Sequence, residues 1–297
     1  MPANTKKTLS LVLGSGGARG LTHIGIINEL ITSGFQIDSI SGCSIGALVG
    51  GIFAAEKLDE FERWIRAVTK VDIVNLLDLS WGKDGFVKGD KIIGTLTELV
   101  GDQKIESLST KFTAVAADIG HEKEVWISSG PLFEAIRASI SLPLFFTPVR
   151  YKDTWLIDGG ILNPVPIAPT FSDGTDLTIA VNLGGPAVAT IKSKGRAEAA
   201  EQQKSGISAT ISSFIDKLGI ADKNAQAQNL SAYNIANQAF DSMQNSIARQ
   251  KLAAYPPDYT IEIPRNICGT LEFDRGAEMI ALGREKAREC ITQIEQE

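Results

Sequence analysis

A strand, a glycine turn and a helix are written twice in succession near the N-terminus of this chain, and the second turn carries a serine. Leu9–Leu13 is apolar and leads into Gly14-Ser15-Gly16-Gly17-Ala18-Arg19-Gly20, after which Leu21–Leu30 can be helical. Ile37–Ser41 reads as a short strand, followed by Gly42-Cys43-Ser44-Ile45-Gly46 and a buried helix over Ala47–Ala55. Repeated units of this kind predict an α/β fold with a mostly parallel, doubly covered sheet. The second turn is a G-x-S-x-G nucleophile elbow, which holds Ser44 on a sharp turn while Gly42 and Gly46 let neighbouring backbone approach. The first loop, at a helix N-terminus, points free N–H groups at an anion. That anion is a phosphate or the oxyanion of an acyl-transfer intermediate, and the serine favours the oxyanion.

Further strands are expected at Phe112–Asp118, Glu124–Ser128, Thr154–Asp158, Leu177–Asn182 and Tyr259–Ile263. Leu58, Phe61, Ile65 and Val68 recur at helical spacing, and Phe133–Ser139 is a helical stretch that stops at Leu142-Pro143. Helix-like stretches return at Tyr233–Leu252 and Arg275–Glu295. No internal repeat and no second core is evident. One domain over 1–297 is therefore expected, with its motif-bearing core at about 8–183 and a helical C-terminal part over 231–297. Between them, 186–229 shifts to Ala, Gln, Ser and Lys and reads as a mobile segment. Within it Ile207, Ile211, Phe214, Ile215 and Leu218 form an amphipathic stripe. Such a helix either packs on the body of the domain or serves as a lid that docks on lipid aggregates.

Composition narrows the class. A formal net charge of −6 argues against nucleic acid as a partner and against strong attraction to anionic lipid. Hydrophobic residues make up 43% of the chain, enough for a full core, yet no apolar run approaches the ~18 residues of a membrane span. Lys6-Lys7 before Leu9–Leu13 looks superficially like a signal peptide. The apolar stretch is too short for one, lacks a cleavage site and flows straight into the glycine loop. Cys43, Cys268 and Cys290 have no metal spacing, so reduced thiols in the cytoplasm are expected. Cys43 beside the nucleophile is read as a small buried filler.

Two rival readings of the motifs are weaker. A dinucleotide-binding G-x-G-x-x-G starting at Gly14 would need glycine where Arg19 stands, and it leaves Ser44 unexplained. An α/β-hydrolase triad runs serine, acid, histidine, and no histidine follows Asp158. Of the two histidines, His121 lies in a polar turn, Ile119 to Lys123. His23 opens the helix behind the glycine loop, where packing is its simplest role.

Taken together, Gly16-Gly17-Ala18-Arg19-Gly20, the elbow at Ser44 and Asp158-Gly159-Gly160 resemble the signature of the patatin-like phospholipases, over about Thr8 to Leu183. Phe86-Val87-Lys88-Gly89-Asp90 and Ile136 through Pro143 are similar to bacterial members, as is Ser15, where plant patatins usually carry glycine. The resemblance implies a three-layer α/β/α sandwich with a mostly parallel central sheet. It also turns Asp158, otherwise an ordinary Asp-Gly-Gly turn, into the partner of Ser44 in a Ser–Asp dyad, with Gly159 and Gly160 permitting close approach. A carboxylate with pKa ~3.9 is a weak base at neutral pH, so burial is expected to raise it. The implied chemistry is acyl transfer through a serine ester, with the oxyanion held by N–H groups of Gly16, Gly17 and Ala18. Arg19 is read as bracing the loop, and an electrostatic role toward a lipid phosphate stays open.

No metal or organic cofactor is expected. The implied partner is a lipid ester, met at a transient membrane or micelle interface by a cytoplasmic protein, with Val74–Gly82 and Pro143–Pro148 as plausible walls for an acyl chain. Transfer to an acceptor other than water, and a catalytically idle binding protein of the same fold, are the alternatives.

Overall fold

Alternation along the first strand sets the layers. In the computed structural model, which describes residues 7–76, 89–143, 145–188 and 232–297, β1 (Thr8–Leu13) sends Leu9, Leu11 and Leu13 into one core and Val12 into another. The larger core lies against α1 (Thr22–Thr32), α2 (Ile45–Ala54), α3 (Leu58–Ala67) and, further along the chain, α5 (Asp90–Val100) and α6 (Leu132–Ser139). Between α3 and α5 stands α4 (Lys70–Leu76). The smaller core joins Val12 and Ala180 to Val165, Ile167 and Ala248, the last carried by α7 (Ala232–Ala254). Helices therefore cover both faces of the sheet.

The sheet is mixed. Strands β2 (Gln36–Cys43), β3 (Lys111–Asp118), β7 (Leu177–Gly185) and β8 (Tyr259–Pro264) join β1 in the parallel order β3-β2-β1-β7-β8. On β3, both β4 (Lys123–Ile127) and β6 (Thr154–Asp158) pair antiparallel, and β5 (Val149–Tyr151) extends β6. Each expected strand is present, most of them one to three residues longer than the apolar run alone suggested. The exception in the reading is β5. Its turn into β6 uses Lys152 at φ 52° in place of the glycine or asparagine that marks a hairpin in sequence.

Two further differences concern helices. Val74-Asn75-Leu76, expected in a connection, belongs to α4. Thr69 and Asp72 cap that helix reciprocally: the Thr69 N–H donates to the Asp72 carboxylate at 2.9 Å, and the Asp72 N–H donates to Thr69 Oγ1 at 3.3 Å. Helix α5, where Ile92, Leu96 and Val100 recur at helical spacing, was not among the expected elements. The stripe over 207–218, the Phe86-Val87-Lys88 part of its motif and residues 77–82 of the expected acyl wall lie outside the described residues.

The last helix, α8 (Gly276–Gln296), returns to lie on α1. Their backbones touch. A Cβ at Gly25 would stand 2.0 Å from the Ile280 carbonyl oxygen, and one at Gly283 would stand 2.0 Å from that of Thr22. Nearby, Arg288 Nε donates to Glu29 at 2.8 Å, joining the same two helices. Gly283→Ala should force the helices apart and lower stability by about 1–3 kcal/mol in denaturant unfolding. Gly94 in α5 has open space around it, so Gly94→Ala should instead be neutral or stabilising by up to ~1 kcal/mol.

Candidate active site

Three strands compete for β3, and that competition builds the site. Along β3, β4 pairs with Ala114–Asp118 and β2 with Lys111–Val115, while β6 pairs with Ala116–Asp118. β4 overlaps each of the other two, so β2 and β6 must share the opposite edge. Cys43 pairs with Val115 and Asp158 with Ala116, the very next residue. The end of β2 and the end of β6 therefore meet head to head, and Ser44 arrives beside Asp158.

Ser44 holds the elbow at φ 56° and ψ −124°, a conformation that costs of order 1–3 kcal/mol. Its N–H donates to Ser139 Oγ at 2.9 Å, and Ser139 Oγ donates to the Val115 carbonyl at 2.6 Å. The elbow glycines answer to close approach. A Cβ at Gly42 would lie 2.5 Å from the Gly46 carbonyl oxygen, and one at Gly46 would lie 2.1 Å from that of Leu13. Helix α2 begins at Ile45 with no intervening connection, so the positive end of its dipole falls at the serine.

The Ser44 hydroxyl donates to Asp158 Oδ2 at 2.5 Å. Asp158 is fully buried, and burial pushes its carboxyl up to about 6 against the opposing pull of its hydrogen-bond donors. Those donors are Ser44, the Gly160 N–H at 2.8 Å and, more distantly, Cys43 Sγ at 3.9 Å. Gly159 passes so close to β3 that a Cβ would stand 2.3 Å from the Val115 carbonyl oxygen. The Asp158 N–H donates to the Ser141 carbonyl at 2.9 Å, and Arg137 Nη1 donates to Ser141 Oγ at 2.6 Å. Ser139, Ser141 and Arg137 thus hold the Ser44–Asp158 pair from α6 and the residues after it. No role was expected for the residues of that stretch. Two serines two positions apart carry no signal of the strand edge that they will meet.

Neither histidine bonds to the serine. His23 is fully buried, its ring neutral because burial drags it down to about 4, and its Nε2–H donates to the Gly14 carbonyl at 3.0 Å. It supports the glycine loop from beneath. His121 is exposed in the β3–β4 turn, with Nδ1 2.8 Å from Asp118. Burial pushes the Cys43 thiol well up, which makes it an unreactive filler.

The glycine loop is pinned at three points. Gly14 and Ser15 donate to the carbonyls of Val181 and Pro164, and Ala18 donates to that of Thr270 at 2.8 Å. This last bond corrects one expectation: the Ala18 N–H is spent on Thr270 and is not offered to the site. Among the described residues the N–H groups of Gly16 and Gly17 have no partner, and Gly17 (φ 58°) sits on the wall of two hollows that Ser44 also lines. Arg19 ties the loop to the C-terminal part of the chain. Its Nη1 donates to the Arg265 carbonyl at 3.1 Å, and Nη2 lies 4.0 Å from Asp241.

The first of those hollows is an apolar cavity of about 110 Å³. Ser44 stands on its wall with Leu48 and Phe61, and Phe145 and Phe146 come from the Pro143–Pro148 stretch expected to bound an acyl chain. Leu271 and Phe273 close it from the C-terminal part, which no N-terminal motif could have announced. The second hollow is more polar, with Ser15, Arg19, Asp241 and Gln244 on its wall. No described helix is long and apolar enough to cross a membrane.

A family model of patatin-like phospholipases matches residues 11–171. An uncharacterized NTE family protein of Mycobacterium bovis is 35% identical over 97% of this chain and 92% of its own length. Lysophospholipase NTE1 of Yarrowia lipolytica is 30% identical over 60% of this chain and 13% of its own. Patatin-like phospholipase domain-containing protein 7 of the rat is 32% identical over 61% and 14%. The elbow, the glycine loop and the aspartate described above all fall within the span of the family match, and the chain belongs to the patatin-like phospholipase family.

Proposed function

We propose that the protein is a serine acyl hydrolase that releases fatty acids from phospholipid or lysophospholipid esters. The observation that carries this reading is the Ser44 hydroxyl, bonded at 2.5 Å to a buried carboxylate while it lines an apolar cavity. An acyl chain in that cavity would bring its ester carbonyl to Ser44, and the N–H groups of Gly16 and Gly17 would receive the oxyanion. Asp158 takes the proton from Ser44 Oγ as the oxygen attacks, then gives it to the departing alcohol oxygen. Water attacks the resulting serine ester, with Asp158 again as base. Lipid is met at a membrane or micelle surface. The names of the fungal and rat relatives favour the same substrate class.

Ser44→Ala should lower kcat/KM on a short-chain p-nitrophenyl ester by at least ~10³-fold with the melting temperature unchanged, and Asp158→Asn should cost nearly as much, because members of one catalytic unit act non-additively. Wild-type turnover in either variant overturns the dyad. His23→Ala, if folded, should retain substantial activity.

The raised carboxyl fixes two signs. Asp158 works as the carboxylate, so kcat/KM should rise with pH up to about 6 and then level. For stability, a carboxyl whose folded value lies above its unfolded ~3.9 adds stability that is complete below that value and is lost as pH rises through the folded one. At pH above about 6 the buried charge therefore weakens the fold, and Asp158→Asn should melt no lower than the wild type there. A variant that is less stable at high pH than at low pH, relative to wild type, would contradict the assignment.

A further inference from the structure

The apolar cavity does not end in solid core. An outer hollow, of about 320 Å³, adjoins it, and the two have Trp64, Val68 and Leu76 in common. Each of the surrounding helices contributes to both sides. On α3, Phe61 and Ile65 face the apolar cavity while Ala67 faces the outer hollow. On α4, Ile73 lines the cavity, and Asp72 and Asn75 line the outer hollow; on α5, Ile92 lines the cavity and Lys91 the outer hollow. The three shared side chains therefore form a partition. Ser44 stands on the apolar side, and a rim of Asp72, Asn75 and Lys91 marks the other side. Lys91 Nζ donates to the Asn75 carbonyl at 2.6 Å, which ties α4 to α5 across that rim.

Trp64 is the largest member of the partition. It is only half-buried, and its ring stacks on Phe61 with centroids 5.8 Å apart. The Phe61 ring is fully buried, so the stack has one fixed partner and one at the edge of the core. A side chain placed in this way can be shortened without opening the body of the domain.

We infer that Trp64 closes the far end of the acyl cavity and sets the longest acyl chain the enzyme accepts, the terminal methyl of a bound chain meeting the indole. With the partition removed, the two hollows join into a channel with a second opening between α3, α4 and α5. This inference rests on the hydrolase reading above and assigns its chain-length selectivity to one residue. The substrate class follows: straight-chain fatty-acyl esters are favoured up to a cut-off length, because each methylene taken into an apolar site contributes until the wall is reached.

The test is the chain-length profile of the purified full-length protein on p-nitrophenyl esters from acetate to palmitate, each held below its micelle concentration. In the wild type kcat/KM should climb by roughly threefold to fourfold per added methylene and then break. Trp64→Ala should move the break to longer chains. Trp64→Leu, which keeps an apolar contact with Phe61, should move it in the same direction and guards against a misfolded alanine variant. Ala67→Trp, placed at the exposed second opening, should return the break toward the wild-type length when combined with Trp64→Ala. An unmoved break in both Trp64 variants, with Ser44-dependent hydrolysis intact, overturns the inference and leaves the hydrolase reading standing. Absence of Ser44-dependent hydrolysis of every ester overturns that reading, and the inference with it.

Discussion

The hydrogen bond between Ser44 and Asp158 depends on a vacancy in a sheet. β2 stops pairing with β3 at Val115, and the edge it leaves is taken up by β6 from Ala116 onward. Two strands that run in opposite directions thereby deliver their last residues to the same place. The 2.5 Å contact, the burial of the carboxylate and its rise to about 6 all follow from that handover. Moving either strand by one residue would turn its functional side chain to the other face. Ser139 and Ser141 guard against such a slip, since one fixes the Ser44 N–H and the other accepts from the Asp158 N–H.

The electrostatics of the pair differ from those of a serine–histidine–aspartate triad. With no imidazole between them, the proposed mechanism asks the carboxylate itself to serve as base, and water exclusion would be the means of making it strong enough. The surroundings are consistent with that need. Cys43 offers only a weak, distant donor, His23 is neutral and occupied with Gly14, and Arg19 is turned toward Arg265 and Asp241. No strong cation sits against Asp158 among the described residues to pull its pKa back down.

Much of this arrangement was legible in the chain. Glycines at Gly42 and Gly46 announce the elbow because only they tolerate the approach of Gly46 and Leu13 backbone, a local requirement that a short motif can record. Asp158 was legible only through its family signature, because an Asp-Gly-Gly sequence is equally a turn. The Ala18 expectation failed for a different reason. Whether a loop N–H is free depends on what lies opposite, and the carbonyl opposite belongs to Thr270, more than two hundred residues away in sequence. The partners of Ser139 and Ser141 and the C-terminal wall of the apolar cavity were hidden in the same way. Turn chemistry misled once more at β5, where Lys152 takes a left-handed conformation that its side chain does nothing to advertise.

The bond from Ala18 to Thr270 also bears on what constitutes a minimal unit of this fold. Every signature residue lies before β7, yet the loop that carries five of them also reaches Thr270, Arg265 and Asp241, all from the last third of the chain. A fragment ending after Leu183 would hold a complete set of motifs and the Val181 and Pro164 pins of the glycine loop, but would lose the one at Ala18. Motif completeness and a preorganised site are thus separable properties. Any transplant of the N-terminal unit into another protein must bring, or find in its host, a carbonyl to stand where Thr270 stands.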